Sequence, residues 1–368
     1  MSLSIGIVGL PNVGKSTLFN ALTKKSVPSE NYPFCTIDPS VGVVGVPDDR
    51  LYKLADFSKT QKTIPAAVEF TDIAGLVKGA SKGEGLGNKF LANIREVDAI
   101  AHVVRIFEDM DITHVHGQVD PLEDLQIINL ELIMADAEMV SNRIAKLGKD
   151  VKKGDKDAVK ENDLLIKIEA VLKDGKLAST LNSSLSDDEW PMYKHLQLLT
   201  SKPMLFVLNR QSEAKNIDDD ENSDKYKNLI NYFKENSSIY VKVDAASEAE
   251  LVDASDEERK ELLEAVGIEE SGMDVLIRKG YELLGLITYF TTGEKETRAW
   301  TTKINSTAPQ AGASIHSDFE HRFIRATVIE WDKLLEAGSN ANARDKGWIR
   351  TEGKEYIVKD GDVIEFLV

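Results

Sequence analysis

The hydrophobic pattern opens with Leu3-Ser4-Ile5-Gly6-Ile7-Val8, a short run that reads as a buried strand. It breaks at Gly9 and resumes as a helix through Thr17-Leu18-Phe19-Asn20-Ala21-Leu22. Strand-length runs follow at 41–46, 67–71, 99–104, 204–208 and 239–243, with helix-like stretches among them. Several are apolar on both faces, as strands must be in a sheet covered by helices on each side. This alternation predicts an α/β fold. Between the third and fourth of these later runs the period changes. Leu125, Ile128, Leu132, Ala135 and Met139 fall alternately three and four apart, which predicts a narrow coiled-coil stripe. A second helical run with Leu164, Leu165, Ile168, Val171 and Leu172 would return antiparallel to it, around a tip at Lys152-Lys153-Gly154-Asp155.

From about Leu283 the pattern shortens again. Strand-like pieces stand at 287–292, 297–302, 323–329 and 356–359, and Asp360-Gly361-Asp362 predicts a tight turn before a last strand at 363–366. Strands around one short helix predict a small β-grasp unit. The expected organisation is therefore an α/β domain from 1–122 and 200–282, a helical coiled-coil insertion at 123–199, and a β-grasp domain at 283–366.

Composition narrows the class. A chain of 368 residues accommodates two or three domains. With 42% hydrophobic and 29% charged residues it is not a disordered chain. No apolar run approaches the ~18 residues of a membrane span, and Met1-Ser2-Leu3-Ser4 does not open a secretory leader. Cys35 is the single cysteine and forms no internal disulfide, so a reducing cytoplasm is expected. The formal net charge of −17 weighs against a DNA-coating protein. The charge is uneven, however. Residues 141–176 hold ten basic and seven acidic residues, either a solvated hairpin or a surface for RNA. Residues 201–270 hold eighteen acidic and nine basic, which predicts a solvated face with a mobile loop at Asp218-Asp219-Asp220-Glu221.

The chemistry begins at the first strand. Gly9-Leu10-Pro11-Asn12-Val13-Gly14-Lys15-Ser16 matches G-x-x-x-x-G-K-[ST] between a strand and a helix, the context this motif requires. Backbone N–H groups from Asn12, Val13 and Gly14 to Thr17 would close around phosphate at a helix N-terminus that already favours anions. Lys15 would neutralise β/γ-phosphate charge and Ser16 would ligate Mg²⁺. Thr71-Asp72-Ile73-Ala74-Gly75 supplies a D-x-x-G at a strand end, where Asp72 can hold Mg²⁺ directly or through water. Leu76 follows, so no carboxamide is available there to orient water. Thr36, in the loop Asn31–Pro39, is the hydroxyl expected to make a second Mg²⁺ contact. The run from Gly79 to Asn88 is too glycine-rich for regular structure and is expected to be a second switch or a plain loop.

Taken in order, the Gly9–Ser16 motif, the Asn31–Pro39 loop and Asp72-Ile73-Ala74-Gly75-Leu76-Val77-Lys78-Gly79-Ala80 resemble the Obg-like translation-factor GTPases. Within that group the chain resembles the YchF/Obg-like ATPase subfamily over essentially its whole length. GTPases read guanine with N-K-x-D; this chain has Asn209-Arg210-Gln211-Ser212-Glu213, with no carboxylate at the fourth position. Strict GTP preference is therefore not expected. The subfamily's usual N-x-x-E is also absent, since Ser212 stands where the glutamate would be and Glu213 follows it. The resemblance implies ATP as substrate, Mg²⁺ as cofactor and the ribosome or ribosomal RNA as partner, with no membrane or DNA partner. It implies a nucleotide contact by Asn209 and a hydrolytic role for His114, with His116 close by. It also implies a C-terminal TGS domain, which the run around His316 matches. Two other readings stay open at this point: a GTPase in ribosome assembly, and a nucleotide-gated RNA-binding module with incidental hydrolysis.

Overall fold

The computed structural model describes residues 3–27, 38–73, 86–108, 119–251, 258 and 270–368. The first sheet is built from strands β1 (Ser4–Val8), β2 (Val41–Gly45), β4 (Ala67–Asp72), β5 (Ala99–Arg105), β7 (Met204–Asn209) and β9 (Ile239–Val243), with β3 (Thr63–Ile64) leaving it for a second sheet. Its order is β2-β4-β1-β5-β7-β9, parallel throughout except for the antiparallel edge strand β2. β5 is buried along all seven residues, which accounts for its largely apolar run. Chain order reverses at β1, whose neighbours are β4 and β5, so a crevice opens at the carboxyl end of β1. Helix α1 (Lys15–Lys24) follows β1 directly and buries Leu18, Phe19, Ala21 and Leu22 on one stripe. Helix α2 (Asp49–Ser58) is capped by Asp48, whose carboxylate accepts from Arg50 N at 3.0 Å. Helix α3 (Leu86–Glu96) begins inside the glycine-rich run expected to be irregular; Gly79 to Gly85 of that run lie outside the described residues.

After β5 and the short strand β6 (Phe107–Glu108), helix α4 (Pro121–Lys152) runs 32 residues, about 48 Å. Asp120 caps it and Pro121 occupies its first turn. Helix α5 (Lys156–Lys173) returns from a tip at Lys153 and Gly154, capped by Asp155. The hairpin is as expected, but the stripe faces elsewhere. Ile128, Leu132 and Ala135 pack into the core of the sheet, and Leu125 into the cluster beneath β5 and β7. Ile133 and Val140, joined by Met139 at the end of the stripe, meet Leu164, Leu165, Ile168 and Leu172 of α5. The lower half of a helix this long lies across the sheet, so its strongest apolar stripe is spent there. Asp136 fixes that junction, its carboxylate accepting from Leu199 N, Thr200 N and Thr200 Oγ1 at 3.0, 2.8 and 2.6 Å.

Helix α6 (Glu189–His195) leads back into β7. Strand β8 (Lys215–Asn216) pairs with β6, and helices α7 (Asp224–Glu235) and α8 (Ala245–Leu251) flank β9. The acidic run at 218–221 is not simply a solvated loop. Ile217–Asp219 forms a 3-10 turn closed by a capping box, and the Asp218 side chain is 2% exposed against Lys242 at 2.8 Å.

The second sheet has strands β10 (Leu286–Thr291), β11 (Thr297–Lys303), β12 (Arg325–Glu330), β13 (Arg350–Glu352) and β14 (Asp362–Leu367). Its order is β13-β12-β14-β10-β11-β3, so the sixth strand comes from between α2 and β4. Hydroxyls line that junction: Thr60 Oγ1 lies 2.6 Å from Thr297 Oγ1, and Ser58 Oγ lies 2.7 Å from Thr292 Oγ1. Arg50 spans it, pairing with Asp48 at 2.8 Å and Asp360 at 2.5 Å. The strand expected at 356–359 is not formed. Ile357 makes one isolated bridge to Thr307, while Tyr356 Oη and Lys359 N donate to Asp362. Gly361 turns at φ +89°, as the tight turn before β14 requires. His316 is an exposed cap, its Nδ1 accepting from Asp318 N at 3.1 Å. Among the described residues no helix is long and apolar enough to cross a membrane.

Candidate functional site

The loop between β1 and α1 is shaped by two left-handed residues, Asn12 at φ +64° and Gly14 at φ +89°. Gly14 must be glycine for a second reason: a Cβ there would sit 2.1 Å from Asn209 Nδ2. Gly9 is equally confined, since a Cβ would lie 2.8 Å from the Val103 carbonyl oxygen. The result is a backbone turn at the N-terminus of α1, a helix with no acidic residue in its first turn to offset the dipole. Ser16 and Thr17 are exposed there, whereas Val13 is buried against the sheet.

Asp72 is brought to this turn by strand register, because Ile7 of β1 stands opposite it on β4. Its Oδ1 lies 2.5 Å from Lys15 Nζ, an ion pair whose side chains are 10% and 25% exposed. Asn209, at the end of β7 and 4% exposed, acts as a tie. Its Nδ2 donates to Val13 O at 2.8 Å, and its Oδ1 accepts from Ala245 N at 3.2 Å. It therefore joins the phosphate turn to the start of α8. Of the residues expected from sequence, Asn12, Val13, Gly14, Lys15, Ser16, Thr17, Asp72 and Asn209 converge at this sheet end. Thr36 and His114 lie outside the described residues, as do Cys35, Gly75, Leu76 and His116.

Three residues at this sheet end were not anticipated. Asp244 leaves β9 and its carboxylate accepts from Ser212 N and Ser212 Oγ, at 2.7 and 2.6 Å, and from Ser247 N at 3.0 Å. Burial pushes this carboxyl up, but the donors from Ser212 and Ser247 outweigh it and leave the group below the usual aspartate value. The signal was available: Asp244-Ala245-Ala246 stands directly after a strand, where a helix cap belongs. Arg105 ends β5 fully buried, donating to Phe107 O at 3.0 Å and lying 4.4 Å from the Phe107 ring. Nothing in its apolar strand pattern marked it. His102, on the same strand, is 1% exposed beside Phe206, and burial lowers its imidazole to about 3. It is neutral in the fold and serves packing.

A glycine turn at a helix N-terminus, a lysine in it, and an aspartate delivered by the neighbouring parallel strand define a P-loop nucleoside triphosphatase. Comparison with known proteins agrees. A model described as "50S ribosome-binding GTPase" matches residues 4–141, and the YchF GTPase C-terminal model, described as a protein of unknown function, matches residues 286–368. The "Ribosome-binding ATPase YchF" of Bacillus subtilis is 51% identical over 366 residues, covering 100% of this chain and 99% of that protein. The protein of the same name from Pasteurella multocida is 50% identical at the same coverage. Among solved structures, the YchF GTPase of Schizosaccharomyces pombe superposes with a TM-score of 0.86 at 36% identity, over 100% of this chain and 98% of that one. The chain belongs to the YchF family.

Proposed function

We propose that the protein is a Mg²⁺-dependent ATPase switch that hydrolyses ATP to ADP and phosphate and binds the ribosome, acting in the cytoplasm. The observation that carries the reading is the convergence of Lys15 and Asp72, 2.5 Å apart, on the phosphate turn at the N-terminus of α1. Both names borne by the bacterial relatives above, ribosome-binding and ATPase, support it. In this reading the domains are 1–122 with 200–282 for nucleotide, 123–199 for the helical hairpin and 283–366 for the TGS unit.

The backbone from Asn12 to Thr17 would bind the phosphates, and Lys15 would turn from Asp72 to the β/γ-phosphate oxygens. Asn209 would hold the turn through Val13, leaving its second amide hydrogen for the base. The donor set suits magnesium: Ser16 offers a hydroxyl in the first turn of α1 and Asp72 a carboxylate at the end of β4, both hard oxygens, and Thr36 would add another hydroxyl. When bound, the ion supplies charge neutralisation at the transferring phosphoryl group. These side chains are too few to hold it alone, so its binding depends on nucleotide. His114, by resemblance, would orient the attacking water, because Leu76 offers nothing for that task. The positive tip of the α4–α5 hairpin and the TGS unit are the surfaces for ribosomal contact.

Lys15→Ala is the direct test. It should weaken ATP binding or turnover at least ~10-fold by removing a charge-assisted contact, and unchanged affinity with unchanged turnover would refute the assignment. Parallel titration of ATP and GTP on the parent separates this reading from a GTPase, and nucleotide-dependent co-sedimentation with ribosomes tests the partner.

A further inference from the structure

Guanine presents two adjacent donors, N1–H and the 2-amino group, and a GTPase meets them with a carboxylate at the fourth position of its base-reading motif. Here Ser212 stands at that position, three residues after Asn209. The carboxylate at this end of the sheet comes instead from Asp244. β7 and β9 end side by side, with Asn209 opposite Val243, so the loops carrying Ser212 and Asp244 leave neighbouring strand ends. We propose that Asp244, positioned by Ser212, closes the base end of the site to guanine.

The argument is one of acceptor capacity. A carboxylate offers roughly four lone-pair sites. Oδ2 of Asp244 receives both Ser212 N and Ser212 Oγ, at 2.7 and 2.6 Å. Oδ1 receives Ser247 N at 3.0 Å. Three donors therefore fill three of the group's roughly four sites, and no acceptor pair is left for a purine. A guanine ring here would leave its two donors without partners, whereas adenine has no such pair to strand. Helix capping accounts for Ser247, because Asp244 precedes α8. It does not account for Ser212, which is exposed, belongs to another loop and gives both of its donors to Asp244.

The inference deepens the ATP reading above and rests on it, so the test reads the two separately. Fluorescent analogues of ATP, GTP and ITP are titrated against the full chain and three variants: Ser212→Ala, Asp244→Ser, and the double variant Ser212→Asp with Asp244→Ser. Serine retains a helix cap at 244, and circular dichroism checks the fold. The ATP-to-GTP affinity ratio of the parent, expected near ~10²-fold, reports on the ATP reading. The change in that ratio reports on Asp244. The double variant places an unfilled carboxylate at the fourth position and should tighten GTP at least ~10-fold while ATP changes little. ITP, which lacks the 2-amino group, should gain less than GTP. Ser212→Ala removes the hydroxyl donor while keeping the backbone one, so it frees one acceptor site of Oδ2 without changing charge and should narrow the ratio several-fold. A parent that prefers GTP overturns the ATP reading and the proposal with it. A parent that prefers ATP, with a ratio unmoved in both Ser212→Ala and a folded double variant, overturns the role of Asp244 alone. So does an equal gain for ITP and GTP.

Discussion

Replacing Gly14 by alanine adds one methyl group at the most confined point of the phosphate turn. Two costs can be read from the structure. The residue sits at φ +89°, a left-handed conformation that costs an L-residue about 1–2 kcal/mol. The new Cβ would also fall 2.1 Å from Asn209 Nδ2, well inside van der Waals contact. Asn209 has no free direction of retreat, being 4% exposed and bonded to Val13 O and Ala245 N. Moving it breaks at least the 2.8 Å bond to Val13, worth about 1 kcal/mol net. The sum of about 2–3 kcal/mol falls on the turn that cradles phosphate, so ATP affinity should drop by roughly 10²-fold. Equilibrium titration with a fluorescent ATP analogue measures this. The control is Gly148→Ala on α4, where an added Cβ meets nothing within 4 Å. It should leave affinity unchanged and raise stability by about 0.5–1 kcal/mol. If Gly14→Ala binds ATP within a factor of three of the parent, the tie between Asn209 and the turn is not what shapes the site.

Three further outcomes are expected. Asp136→Ala strands the donors of Leu199 and Thr200 inside the α4 junction and should cost about 3 kcal/mol in urea unfolding, with Asp136→Asn losing less. His102, lowered to about 3 by burial, stays neutral in the fold while the unfolded chain takes up a proton below its usual 6.5. Stability should therefore fall as pH drops from 6.5 toward 3, by about 2 kcal/mol at pH 5 from this residue, and comparing His102→Leu with the parent across that range isolates the effect. His114→Ala should lower kcat by ~10²–10⁴-fold with ATP affinity nearly unchanged, and His116→Ala should be silent; steady-state turnover that is damaged only in the second variant would reverse the assignment.

Much of this architecture was legible because each strand of the first sheet carries its own signal. β5 is buried on both faces and so appears as a run from Ala99 to Val104 that is apolar except for His102; β7 is apolar from Met204 to Leu208. The phosphate turn was legible because glycine, lysine and serine have no cheaper substitutes at their positions. What the sequence hid is set by pairs of distant residues. The stripe Ile128, Leu132 and Ala135 has the period of a coiled coil, but period does not say which surface a stripe meets, and here it is the sheet. Tyr356 to Lys359 has strand composition, yet it makes only a single bridge to 306–308, and Tyr356 Oη and Lys359 N turn to Asp362, so no ladder forms.

The hardest feature to foresee was the one that joins the two sheets. β3 contributes only Thr63 and Ile64 to β11, too few for any periodic signal. Flanking contacts specify it: Gln61 N donates to Glu294 O, and Thr297 N donates to Lys62 O, both at 3.0 Å. The hydroxyls of Ser58, Thr60, Thr292 and Thr297 then satisfy one another across the same seam. Serine and threonine at such positions read as ordinary surface residues until their partners, some 234 or more positions away, are known. Asp72 stands eight positions after Ile64, and residues 65–72 include the whole of β4. The strand that delivers the aspartate to the phosphate turn is thus the direct continuation of the strand held by the C-terminal sheet. A motif search treats Lys15 and Asp72 as one unit and the last eighty residues as another, whereas the backbone makes Asp72 part of both.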